Sequence, residues 1–176
     1  MAPTDRTGYL KKGFRMARRV FFSFHYSNDI WRANQVRNCN VVAGADMAGF
    51  FDHSEYEDAK KKGREAIKRM IMRNLDGTSV TVVLIGKETA SRPWVKFEIE
   101  QSIERKNGLL GIYIHHLKDQ DGNSASWAGA KPDVPRGIEF PAYDWDKDLD
   151  RFRREIEAAG KRSDALRSPP KSYRSW

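Results

Sequence analysis

The sequence predicts an α/β protein built on a mainly parallel sheet with helices on both faces. Three observations predict it. Short, almost wholly apolar runs stand at 20–24, 80–86 and 109–114, as strands covered on both faces require. Longer segments between them carry apolar residues every three or four positions, the period of an amphipathic helix. Strand and helix alternate along the chain, the order that gives crossover connections and parallel pairing.

The first strand, Val20-Phe21-Phe22-Ser23-Phe24, runs into Asn28-Asp29, a helix-start signal. A helix follows over 29–40, with Ile30, Ala33, Val36 and the stem of Arg37 inward. Residues 43–54, with Gly44, Gly49 and Phe50-Phe51-Asp52, read as a loop with room for a short second strand. Over 55–75, Ala59, Gly63, Ala66, Ile67, Met70 and Ile71 mark one long helix whose opposite face is lysine and arginine, a solvated surface. Asp76-Gly77 closes it, and 80–86 is the central strand. Pro93 sits in the first turn of the next helix, where Val95, Ile99 and Ile103 form the core stripe. Asn107-Gly108 ends that helix and 109–114 is a further buried strand. The polar stretch 118–143 reads as a surface segment, and Leu149, Phe152 and Ile156 mark a closing helix.

At 176 residues with 39% apolar content the chain fills one core. Its longest uninterrupted apolar stretch, 82–85, is far short of the ~20 residues that cross a bilayer. The basic first nineteen residues have no apolar segment of the secretory kind. A cytoplasmic protein is expected, with no membrane partner. The single cysteine, Cys39, forms no internal disulfide and reads as a small helix residue; no Cys/His spacing suits zinc, so no metal is expected. The net charge of +8 is unevenly spread: residues 1–19 carry six Lys/Arg against one Asp, and 161–176 five against one, which leaves the body near −1. The body is therefore no basic platform for nucleic acid. The domain reading is a basic segment over 1–18, one folded unit over 19–160, and a basic, disordered tail over 161–176.

In open parallel sheets ligands bind at the carboxyl ends of the strands, which directs attention to residues after Phe24, Ile85 and Ile114. A phospho-receiver needs acidic residues there, and Phe24-His25-Tyr26 and Ile85-Gly86-Lys87 supply none. Nor is His25-Tyr26-Ser27-Asn28 a flavin phosphate loop, and Thr81 stands where a P-loop ending in Gly86-Lys87 needs glycine. Asp119-Gln120-Asp121-Gly122-Asn123 lacks the spacing of a calcium loop and reads as a turn. One carboxylate remains. Glu98 lies four residues after Trp94 on one helix face, beside the core stripe, and borders the crevice. From spacing alone the plainer reading, a surface glutamate paired with Lys96 or Arg105, is favoured.

Residues 19–26 (RVFFSFHY), Phe51-Asp52 followed by Tyr56-Glu57-Asp58-Ala59-Lys60-Lys61, the strand 79–86 (SVTVVLIG), and Ser91-x-x-Trp94-Val95-x-x-Glu98 resemble, in this order, the TIR-like domain of Thoeris antiphage-defence proteins of the ThsB type. The resemblance covers residues 18–117. It implies a flavodoxin-like TIR fold, with NAD consumed as substrate and no cofactor, and an ADP-ribose-derived signal, often cyclic, that activates a separate effector after infection. It also implies a catalytic role for Glu98, a nucleotide pocket lined by Phe24 and His25, and assembly through the loop that holds Phe51 and Asp52. Asp52 and Trp94 are expected to join the nucleotide-binding set, and a homo-oligomer is expected. TIR domains also act as scaffolds without turnover, and a nucleoside-processing transferase of similar fold is the third alternative.

The chemistry agrees with those roles. Cleaving the nicotinamide–ribose bond passes through an oxocarbenium-like state, and the leaving pyridine departs neutral, so one carboxylate without an acid partner suffices. Phe24 and Trp94 read either as aromatic faces for a base or as core. His25 reads as a phosphate or ribose contact or as a structural histidine. His115-His116, after the strand 109–114, lies near the crevice, with the plain structural reading favoured.

Overall fold

A computed structural model describes residues 18–41 and 53–168. Phe51, Asp52, the chain before Arg18 and the chain after Ser168 lie outside the described residues. Among these residues four strands, β1 (Val20–Ser23), β2 (Val80–Ile85), β3 (Gly108–Tyr113) and β4 (Ala142–Asp144), form one parallel sheet in that spatial order. Val20 pairs with Val80, Val80 with Gly108, and Gly111 with Ala142. The helices are α1 (Tyr26–Val41), α2 (His53–Lys62), α3 (Arg64–Leu75), α4 (Pro93–Glu104) and α5 (Leu149–Arg167). This is the α/β, flavodoxin-like class expected.

Alternation along the strands sorts the core into two layers. Phe22, Val82, Leu84, Leu110 and Ile112 face α1 and α5, meeting Ala33, Val36, Phe152 and Ile156. Phe21 points the other way onto Ile67 and Ile71 of α3, and Val83, Ile85 and Leu109 meet Val95 and Ile99 of α4. Fully buried side chains such as Ile112 and Phe152 would each cost about 2–5 kcal/mol on truncation to alanine.

Four expectations are corrected. The long helix over 55–75 is two helices, because Gly63, at φ 96°, takes a conformation a helix interior cannot hold. The helix after β1 begins at Tyr26 rather than at Asp29, and Arg37 is exposed. The segment 118–143 is not all surface: Phe140 is buried and Ala142 starts β4. Finally, α5 runs to Arg167, well past residue 160, and its end is held. Arg167 donates to the carbonyl oxygens of Thr78 and Arg105 and to Asn107 Oδ1. Arg18, placed by its charge in the N-terminal segment, donates to Asp164 at 2.7 Å and to Glu157 at 3.3 Å. Their charge marked these residues as tail; their partners make them part of the fold. Among the described residues no helix is long and apolar enough to cross a membrane.

Candidate active site

The carboxyl ends of β1 and β2 and the start of α4 enclose a cleft of about 340 Å³. Its geometry begins in a buried polar chain. Thr81 Oγ1 on β2 donates to Ser102 Oγ at 2.8 Å, Ser102 Oγ donates to the Glu98 carbonyl at 2.7 Å, and Asn107 Nδ2 donates to Thr81 Oγ1 at 3.1 Å. These bonds set α4 in register on the sheet. The Glu98 side chain then crosses to the end of β1, where Ser23 Oγ donates to Oε2 at 2.5 Å.

Glu98 is 5% exposed, so the favoured surface reading is wrong. It pairs with neither Lys96 nor Arg105; Arg105 lies beside Asp76 instead. Burial pushes its carboxyl up to about 8, against the opposing effect of the Ser23 hydrogen bond. Burial thus favours the carboxylic acid over the carboxylate at neutral pH. Tyr56, also on the cleft wall, is raised by its own burial and then by the charge of Glu98.

Phe24, His25, Trp94 and Glu98 line this one cleft, so four of the five site residues expected from the sequence come together. Asp52 lies outside the described residues. Phe24 is buried and stacks at 5.9 Å on Tyr26, which stacks at 4.2 Å on Tyr56. Trp94 is partly buried, edge-on to Phe97 at 6.0 Å, with the Arg64 guanidinium 5.5 Å from its ring centre. Both aromatics thus border core and cleft at once. His25 Nδ1 lies 3.9 Å from Glu88 Oε2, and burial, with Arg92 adding to it, holds the imidazole below its usual range. Arg92 itself pairs with Glu88 and lines the cleft, its buried Nε having no partner among the described residues.

Ser23, Tyr56, Arg64 and Arg92 belong to this cleft, or to Glu98 directly, and were not singled out as site residues. Ser23 carried a signal: it is the one polar residue in an apolar strand. Tyr56 sat inside the quoted motif. Arg64 carried none, since it lies at the end of a lysine-rich run and reaches the cleft only because the chain breaks at Gly63.

A second cleft of about 420 Å³ opens on the other side of Ser27, and His115 lines it rather than the first. Its floor is Asp29, 2% exposed and raised by burial despite Arg32 at 3.2 Å. Gly86 must stay bare here, because a Cβ would come within 2.2 Å of Asp29 Oδ2. Arg32 also donates to the Leu117 carbonyl at 2.9 Å, which ties α1 to the turn after β3. The Asp119 turn closes on itself, its Oδ1 accepting from the amides of Asp121 and Asn123. A third cleft, about 580 Å³, lies outside α4 against residues 130–135 and holds the exposed Glu100. It contains no buried carboxyl.

The family described as "Thoeris protein ThsB, TIR-like domain" matches residues 21–119, a span that contains the whole Glu98 cleft. A protein of Bacillus cereus (strain MSX-D12) named "Putative cyclic ADP-D-ribose synthase ThsB1" is 45% identical over 135 residues, covering 76% of this chain and 67% of that protein.

Proposed function

The chain belongs to the Thoeris ThsB family of TIR-like domains, and from that premise we propose that it cleaves the nicotinamide–ribose bond of NAD and turns the ADP-ribosyl unit into a cyclic signalling nucleotide. The observation that carries this reading is Glu98, a buried carboxyl in a cleft with aromatic walls and two guanidinium groups beside it. The name of the Bacillus cereus relative, which specifies cyclic ADP-D-ribose synthesis, supports the same substrate.

The C1′–N bond breaks and its electron pair goes to the pyridinium nitrogen, so nicotinamide leaves neutral and takes no proton. Positive charge then develops at C1′. Glu98 opposes that charge as a carboxylate, and the low-dielectric cleft makes the interaction stronger than it would be in water. The positively charged nicotinamide ring, placed beside the carboxyl, favours the ionised form. Glu98 therefore gives up its proton as NAD enters. Attack on C1′ by a nucleophile of the same nucleotide closes a ring and attack by water gives the open form; in either case the nucleophile's proton passes to solvent.

Phe24 and Trp94 present ring faces to a base, and His25, neutral, contacts ribose or phosphate. Arg64 and Arg92 take the diphosphate, since a cleft of about 340 Å³ suits the nicotinamide ribose better than a whole dinucleotide. In this reading the product diffuses to a separate effector protein.

The test measures NAD loss and product mass with the purified full chain and with lysates of phage-infected cells. Glu98→Gln should lower the rate on the order of a hundredfold or more. Glu100→Gln, exposed on the other side of α4, should match the parent. Equal rates in Glu98→Gln and the parent would refute the enzymatic reading and favour a TIR-type interaction module.

A further inference from the structure

Three metal-binding side chains outside the Glu98 cleft meet where β3 and β4 end. His115 and His116 follow β3, and Asp144 closes β4 opposite Tyr113. One ring nitrogen of each histidine and one carboxylate oxygen of Asp144 lie within 4.8 Å of one another. Linear spacing hides this group, since Asp144 is far along the chain from the histidines; the parallel register of β3 and β4 assembles it.

Two further observations bear on what the group does. His115 Nδ1 is buried and has no hydrogen-bond partner among the described residues, a costly state for a polar atom. His116 Nε2 lies 2.7 Å from the Trp145 carbonyl. A carbonyl only accepts, so this nitrogen carries the proton and Nδ1 offers a lone pair. A ligating histidine usually anchors its other nitrogen in this way. The anchor itself is rigid: Trp145 is buried against Phe152 at 5.4 Å, and its amide donates to the Tyr113 carbonyl at 3.0 Å.

We propose that His115, His116 and Asp144 form a binding site for a divalent transition ion of the zinc, cobalt or nickel type. Two imidazoles and one carboxylate suit these ions rather than magnesium or calcium. Bonds of about 2.0–2.2 Å to a shared ion would draw the three atoms together, with the exposed Asp144 carboxylate closing on the anchored His116. Three protein ligands leave a coordination position open for water or a ligand oxygen. The ion would pin a three-residue edge strand to β3 beside the second cleft, which His115 lines. The site is separate from Glu98 and does not depend on NAD turnover.

The test uses the full chain without a histidine tag, stripped with EDTA and dialysed. Titration calorimetry with zinc chloride should give one equivalent bound with a Kd of about 10 μM or tighter. Cobalt(II) should give visible d–d absorption that zinc then displaces. His116→Ala should weaken zinc binding by at least about thirtyfold and Asp144→Asn by about tenfold, whereas His25→Ala should bind as the parent does. Zinc should raise the melting temperature of the parent and not of His116→Ala. If His115→Ala fails to fold, the two exposed positions still decide the matter, with circular dichroism confirming their structure. No saturable zinc binding, or unchanged affinity in folded His116→Ala and Asp144→Asn, would overturn the site.

Discussion

Replacing Glu98 by glutamine should shift the stability balance increasingly in the variant's favour as the pH rises. The folded carboxyl keeps its proton up to about pH 8, while in the unfolded chain it loses it near the ordinary 4.5. Between those values the unfolded state binds fewer protons, so stability falls with pH. Linkage across that window costs the parent about 1 kcal/mol at pH 5, about 3 at pH 7 and about 5 at pH 9. Glutamine carries no such cost. Its amide can accept from Ser23 as the carboxyl does, and whatever its NH2 costs, up to about 1–3 kcal/mol if left without a partner, does not change with pH. The widening is therefore the quantity to trust: the gap between variant and parent should grow by about 4 kcal/mol from pH 5 to pH 9. At about 2–4 °C per kcal/mol for a chain of this size, the melting temperatures should separate by a further 8–16 °C or so. Thermal melts of both proteins at pH 5, 7 and 9 provide the measurement, and titrating groups that do not feel the charge of Glu98 cancel in the difference. Melting curves that stay parallel across this range would show that burial does not hold Glu98 protonated.

Three further outcomes are expected. In the proposed reaction kcat/KM, which reports the free enzyme, should rise with pH and level off above about 8, because the carboxylate is the useful form and burial disfavours it; a pH–rate profile checks this. Arg64→Ala and Arg92→Ala should each raise KM for NAD about tenfold and change that for nicotinamide riboside, which lacks the diphosphate, much less; paired steady-state kinetics separate the two. Arg167→Ala should cost about 1–3 kcal/mol in urea unfolding, since it leaves the Thr78 carbonyl and Asn107 Oδ1 without this donor.

How much of this was legible depends on which interactions decide each feature. Strands β1 to β3 follow from apolar runs, because burial on both faces leaves no other composition workable. The β4 strand escaped detection because it is short and at the edge, with residues Ala142–Asp144 between half-buried and exposed. The end of α5 was misread because composition sees the charges of Arg18, Asp164 and Arg167 but not that they face one another and the ends of β2 and α4. Within the cleft, the Trp94–Glu98 spacing was visible on one helix face. The burial of Glu98 was not, since it depends on Ser23 reaching across from a strand seventy-five residues earlier.

Placement of that carboxyl explains why the cleft is built as it is. A charge exposed to water would be screened and of little use against a developing cation. A carboxyl with no polar neighbour would be held so firmly as the acid that no substrate could ionise it at neutral pH. Ser23 sets the balance, since its hydrogen bond favours the charged form while burial favours the neutral one. The net result lies near 8, where a cationic ring placed beside the carboxyl needs only a modest interaction to remove the proton. The same burial makes the folded protein less stable above pH 5, so the stability lost to Glu98 and the charge that Glu98 can direct at C1′ share one physical origin.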